Sequence, residues 1–337
     1  MTETPTGSTN ATQDHFVASG TRAYGGVLPG RHILSVDVED YFQVEAFADL
    51  VSRESWDQWP TRVEQNTMRL LDLFDEADTK ATFFVLGWVA AKVPSLVREI
   101  TRRGHELACH SYWHRCIYGL TPEEFRRDTR LAKTVLEQAS GVAIRGYRAP
   151  SWSITVRSLW ALDILGEEGF EYDSSIYPIH HDIYGLPGAR RVPYAHRLNG
   201  NRRLQEFPPA TVRLMGLTLP AAGGGYLRLL PYAYTAWAIR RMEAEEGQQV
   251  VVYLHPWEID PEQPRIAGRV RSRFRHYTNL HSMEHKVRKL LQLRRFQSFQ
   301  QMLASAAYSR AGADGRRDQQ ETNSTTAAVA AHARVSQ

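Results

Sequence analysis

The chain has 337 residues, 42% hydrophobic and 23% charged, with a formal net charge of +4. This composition suits a globular α/β chain, and so small a positive balance lies far below the basic footprint that argues for nucleic-acid binding. Two cysteines, Cys109 and Cys116, are too few for a disulfide framework and read as free thiols of a reducing compartment. Residues 1–20 hold no apolar run of the secretory type. No stretch approaches the ~20 apolar residues that span a bilayer, so a cytoplasmic protein without a transmembrane segment is expected.

Taken in chain order, residues 1–28 are rich in Thr, Ser, Asn and Gly and are expected to be disordered, as is the polar tail 311–337. His32–Val36 reads as a strand. A helix is expected from Val63 to Asp78, carrying Met68, Leu70, Leu71, Leu73 and Phe74. Ala81–Leu86 is a β-rich run, followed by a helix from about Pro94 to Arg103 and a short strand, Glu106–Cys109. Thr121-Pro122-Glu123-Glu124 combines an N-cap Thr, a Pro at the first helical position and a Glu at the third. It opens a helix that Gly141 ends. A strand surrounds Gly146-Tyr147-Arg148, a helix runs from Val156 to Glu168, and Val250–Leu254 is the last clear strand. Strands separated by single helices predict parallel crossovers, hence a parallel sheet or a (β/α) barrel with ligands beyond the C-terminal strand ends. Residues about 185–230, rich in Pro, Arg and Gly, break this rhythm and read as an insertion or accessory β segment.

Polar residues gather where those strands end. Asp37, Glu39 and Asp40 follow the first; His110 and His114 follow Glu106–Cys109; then come Arg148, Asp173 and, after the last strand, His255. Five strand ends delivering ionisable groups to one face point to a site rather than to packing. Two histidines four apart plus one carboxylate would leave coordination positions open, as in a catalytic metal site. Strand alternation favours Glu39 as the acidic ligand, because it shares a face with Asp37, while a loop beginning at Glu39 would admit Asp40 instead. His281-Ser282-Met283-Glu284-His285 repeats the spacing of His110-Ser111-Tyr112-Trp113-His114 within an amphipathic helix marked by Leu280, Met283, Val287, Leu290 and Leu291. With no strand end before it, this second pair is expected to be solvated or packed.

These residues resemble a known family, the polysaccharide deacetylases with a NodB homology domain (carbohydrate esterase family four). The motifs are Ser35–Phe42, Gly104–His114, Arg148-Ala149-Pro150-Ser151-Trp152, Tyr172-Asp173-Ser174-Ser175 and Tyr253-Leu254-His255-Pro256. Ser272–Leu280 resembles the C-terminal extension of the subgroup found at exopolysaccharide loci that use exosortase. The resemblance covers roughly residues 30–300. It implies a distorted (β/α) barrel over 29–300, with the extension at about 200–300, and a metal-dependent hydrolase, most simply a zinc enzyme. Its substrate would be an N-acetylated polysaccharide or oligosaccharide, an exopolysaccharide or its precursor. By position it implies Asp37 as general base, His110 and His114 as metal ligands, and Arg148 as the group that holds the base. It further implies the Ser151 backbone N–H as oxyanion donor, His255 as general acid and Asp173 as a tuning group. The sequence departs from the family in separating its acids, Asp37-Val38-Glu39-Asp40, and in having Ser151 and Trp152 where the family has a tyrosine. Two rival functions are an amidohydrolase acting on peptidoglycan or a small cyclic amide, and a non-catalytic carbohydrate-binding protein on the same fold.

Overall fold

The computed structural model describes residues 31–181, 184–247 and 249–305; both tails expected to be disordered, 1–28 and 311–337, lie outside the described residues. Strand β1 (Arg31–Val38) is the hub of the main sheet. It pairs in parallel with β2 (Thr82–Val85), β10 (Val251–Leu254) and β11 (Arg295–Gln297). From β2 the sheet continues through β3 (Glu106–Cys109), β4 (Gly146–Tyr147) and β5 (Tyr172–Asp173) to β7 (Arg203–Glu206), all parallel. An antiparallel β6 (Tyr194–Arg197) lies at the edge. No strand ladder closes the sheet among the described residues. Instead the segment after β7 spans the gap, Phe207 N–H donating to Asp173 O at 2.9 Å and Ala210 N–H to Val251 O at 3.1 Å. The architecture is an α/β sheet curled as a distorted barrel.

The helices cover it as the apolar spacing predicts. Helix α1 (Val63–Glu76) buries Leu70, Leu71, Leu73 and Phe74; α2 (Gly87–Lys92) and α3 (Pro94–Arg102) follow β2. Helix α4 (Pro122–Ser140) has the expected reciprocal box between Thr121 and Glu124 and ends at Gly141 with φ 74°. The single helix expected over Val156–Glu168 is broken: a short turn, Val156–Ser158, precedes α5 (Ala161–Glu167). The cause is local, since Thr155 N–H donates to Ser158 Oγ, whose hydroxyl donates to the buried Ser153 carbonyl. The irregular stretch 185–230 supplies β6, β7, a separate hairpin of β8 (Thr211–Leu214) and β9 (Leu217–Pro220), and α6 (Gly224–Leu229). Helices α7 (Tyr232–Glu246), α8 (Val270–Tyr277) and α9 (Leu280–Leu293) follow.

The register matters for the site. Val38, Val85, Cys109, Tyr147, Asp173 and Glu206 share one level across the sheet. Residues just beyond that level therefore reach a common face. Strand β1 runs to Val38, two residues further than His32–Val36, so Asp37 is held inside the strand rather than after it. Cys109 and Cys116 are free, and burial pushes both thiols up, Cys116 to about 12.

Candidate active site

The loop Ser111–His114 determines where the two imidazoles go. Ser111 (φ 69°) and His114 (φ 49°) both adopt left-handed backbone, an unfavourable state for non-glycine residues that only external support sustains. Asp128 on α4 provides part of it, accepting from the N–H groups of Tyr112 (2.9 Å) and Trp113 (3.3 Å). Arg53 donates to the carbonyls of Trp113 and His114. Gly87 donates to Ser111 O at 2.9 Å, and a Cβ there would lie 2.4 Å from the Tyr112 ring, so the loop packs where only glycine fits. The result sets the His110 and His114 rings 5.4 Å apart, both buried.

Glu39 joins them: one donor atom from each of Glu39, His110 and His114 lies within 4.8 Å of the others. Burial pushes the His110 imidazole down to about 4, outweighing the pull of Asp37 and Glu39, which keeps it neutral. Its Nδ1 sits 2.8 Å from the Arg148 carbonyl, so Nδ1–H donates there and Nε2 keeps its lone pair. Burial opposes ionisation of Glu39, but the neighbouring His114, with smaller help from His255 and His110, holds its carboxyl down to about 2. Glu39 Oε2 lies 2.7 Å from His114 Nε2 yet has no hydrogen bond of acceptable direction, a buried oxygen with an open lone pair. Two imidazoles and one carboxylate with an orphaned oxygen fit a divalent cation of the zinc type.

Asp40 is not brought to this set. Its Oδ2 accepts from the N–H groups of Arg62 (2.7 Å) and Val63 (3.0 Å) at the start of α1, and its Oδ1 from Tyr41 N–H. Burial lifts it to about 6. The structure therefore turns the neighbouring acids in opposite directions, Glu39 inward and Asp40 to a helix start.

Asp37 faces the same cavity. Arg148, fully buried, donates from one Nη to Asp37 Oδ1 (2.7 Å) and Ser35 Oγ (2.8 Å), and its other nitrogens engage Ser174. The guanidinium also lies over the rings of Phe84 and Trp152, so its orientation is fixed from both sides. Opposite, His255 Nε2 is 3.9 Å from Asp37 Oδ2 and 3.8 Å from Glu39 Oε1. Burial alone would discharge this imidazole. The Glu258 carboxylate, 3.1 Å from Nδ1, overrides it and raises His255 to about 9. Glu258 in turn accepts from Arg228 of α6, and Trp257 donates its indole N–H to Glu39 Oε1 at 3.1 Å. Ser151 lines the cavity with left-handed backbone (φ 51°), and its N–H has no partner among the described residues.

Asp173 stands apart. It is fully buried beside Glu206, its sheet neighbour, and does not line the cavity. Burial raises both carboxyls, Glu206 to about 8, and Asp173 Oδ2 and Glu206 Oε2 are buried without a hydrogen-bond partner among the described residues. Asp173 reaches the site only through Ser175, which donates to it at 2.5 Å and accepts from Ala149 N–H at 2.8 Å. His281 and His285 are exposed on α9, as expected. Asp128, Glu258 and Arg228 were not among the sequence candidates. The only signal for Glu258 was its position three residues after His255 in the turn that follows β10; Asp128 and Arg228 lie in segments that carry none.

The cavity, about 300 Å³, is walled on one side by β1, the histidine loop and Ser151, and on the other by α6 and α8. Residues 55–169 match the family model described as polysaccharide deacetylase, and residues 174–304 match one described as a domain of unknown function. Over 98 residues the chain is 32% identical to the peptidoglycan-N-acetylglucosamine deacetylase of Bacillus cereus, covering 29% of this chain and 36% of that protein. Over 131 residues it is 31% identical to a chitooligosaccharide deacetylase of Bradyrhizobium, covering 37% of this chain and 56% of the relative. It thus spans about a third to just over half the length of these curated relatives. A crystal structure from Mycobacterium smegmatis, assigned as a polysaccharide deacetylase, superposes with TM-score 0.56 at 22% identity. The superposition covers 87% of this chain and 95% of that one, and it shows a shared fold. Residues 55–169 are thus similar in sequence to polysaccharide deacetylases, and these relatives share that similarity over part of their own length.

Proposed function

We propose that this chain is a metal-dependent hydrolase that removes N-acetyl groups from amino sugars of a polysaccharide or its precursor. The observation that carries it is the convergence of Glu39, His110 and His114 on one point with Asp37 and His255 on either side. A divalent cation held by those three residues would polarise the amide carbonyl and lower the pKa of a water towards ~7. Asp37, held by Arg148, accepts the proton of the attacking water. The unpartnered Ser151 N–H donates to the developing oxyanion, a contact whose loss costs about 10²–10³ in kcat in comparable sites. His255, kept cationic by Glu258, delivers a proton to the departing amine. Asp173 acts at one remove, through Ser175 and the Ala149 N–H, on the loop bearing Ser151. Zinc as the metal, an exopolysaccharide substrate, membership of the exosortase-locus subgroup and action in the cytoplasm belong to the same proposal and rest on the motif resemblance.

The test is metal analysis beside acetate release from chitooligosaccharides, with small cyclic ureides as counter-substrates. The wild type is expected to hold one divalent ion per chain and release acetate. His114→Ala should lose both the ion and activity. A tightly bound ion with no acetate release from any N-acetylated sugar would sink the deacetylase assignment; ureide hydrolysis would replace it.

A further inference from the structure

The rim of the cavity carries a second kind of chemistry. Between Gln263 and Met283 the chain has five arginines, Arg265, Arg269, Arg271, Arg273 and Arg275, and no carboxylate. All five are exposed. The acid paired with Arg269 across the rim is Asp49, at 3.5 Å, with both side chains about 85% exposed (86% and 85%), where an ion pair contributes little.

Helix α8 within this stretch presents its faces in an inverted way. Its inner side is polar: Ser272 and Arg275 line the cavity, and the buried His276 stacks on Trp257 with centroids 4.2 Å apart. Its outer side holds the apolar residues, Val270 at 82% exposure and Phe274, one turn on, at 63%. Leu50, 53% exposed, lies beside them: a Cβ at Gly268 would be 3.4 Å from Leu50 Cδ1, and Asp49 reaches Arg269. The core does not need this face, because α8 is anchored otherwise. Arg228 donates to its Arg275 carbonyl at 2.6 Å, and the Tyr277 ring stacks on Phe47.

Aliphatic and aromatic side chains standing in water among arginines are the pattern of a helix that lies on an anionic bilayer, with the apolar residues entering the acyl boundary and the cations meeting head groups. A soluble polyanion would use the arginines but would leave Val270 and Leu50 without a partner. We propose that α8 and the adjoining Leu50 form a docking surface for an anionic lipid membrane, which sets the cavity mouth against the bilayer. This places a function on residues matched to a domain of unknown function, and it does not depend on which amide the site hydrolyses.

Flotation of the purified full chain with phosphatidylglycerol–phosphatidylcholine vesicles, against phosphatidylcholine alone, tests it. Binding is expected only to the anionic vesicles and should weaken with salt. The double variants Val270→Asp/Phe274→Asp and Arg271→Gln/Arg273→Gln should each lower vesicle affinity about tenfold or more, with unchanged melting temperature. Phe274→Ser provides a milder apolar variant should the double one melt early. No binding to anionic vesicles at low salt would overturn the proposal. So would binding that both apolar variants retain in full. Equal binding of a soluble polyuronate, undiminished in Phe274→Ser, would assign the rim to an acidic polymer instead.

Discussion

Two pairs of buried carboxyls sit at the C-terminal level of the same sheet, yet they are in different states. Asp37 and Glu39 at the end of β1 face Arg148, His114 and His255, all within 3.9 Å. Asp173 and Glu206 on β5 and β7 are as deeply buried, but their nearest titratable base, His196, is 3.8 Å away and driven down to about 4 by its own burial. A carboxylate removed from water needs a countercharge or must keep its proton. The first pair has countercharges, so Glu39 stays ionised and can serve a cation. The second has only a discharged His196 at 3.8 Å, so burial wins and both carboxyls are pushed up. Burial by itself therefore says little about chemistry; the neighbouring charge decides.

The comparison can be broken by substitution. Asp37→Asn removes the proposed base but leaves an isosteric partner for Arg148, and under the proposed function deacetylation is expected to fall by about 10²–10⁴-fold with the bound ion retained. Acetate-release kinetics and metal analysis on one preparation check this, and an active Asp37→Asn enzyme would remove Asp37 from the reaction. Arg148→Met strips the countercharge from Asp37, and urea unfolding should show a loss of about 3–5 kcal/mol, the usual consequence of leaving a buried charge uncompensated. A variant as stable as the wild type would mean that Asp37 does not depend on Arg148.

The second pair gives a smaller, pH-dependent effect. Glu206 has a folded pKa of about 8 against an ordinary value of 4.5. The unfolded chain therefore releases this proton first as pH rises, and the contribution of the group is present below about 4.5 and lost progressively up to about 8. Glu206→Gln, which cannot ionise, should raise the melting temperature relative to wild type more at pH 8 than at pH 5. A difference that does not change with pH would show that burial does not raise the Glu206 carboxyl. Smallest of all, His281→Ala and His285→Ala on the exposed face of α9 should leave metal content unchanged and shift stability by no more than about 0.5 kcal/mol.

Much of the site was legible beforehand because its signals are local. The Thr121–Glu124 box, the β-rich runs and the residues after them depend on neighbours within a few positions, and the structure keeps them. The His-x-x-x-His spacing alone was uninformative: it occurs twice, and only the copy that follows β3 is folded back by Asp128, Arg53 and Gly87 into a left-handed loop. Asp128 is 16 positions from Tyr112, Arg53 is 60 from Trp113 and Arg228 is 30 from Glu258, separations that no local pattern reports. The break at Thr155–Ser158 is not legible in the sequence for the opposite reason, since a few side-chain hydrogen bonds outweigh an adequate helical pattern.

The amino-acid sequence by itself determined the parallel α/β architecture and the strands after which His110, Arg148 and His255 stand. Those follow from periodicity, capping and composition, which act over a turn or two of chain. Only the tertiary structure set Glu39 rather than Asp40 beside His110 and His114, joined His255 to Glu258 and Arg228, and left Val270 and Phe274 facing outward from the cavity rim. In each case the outcome depends on which distant group satisfies a buried charge, or fails to cover an apolar one, and that partner is chosen by the register of the sheet and the packing of helices upon it.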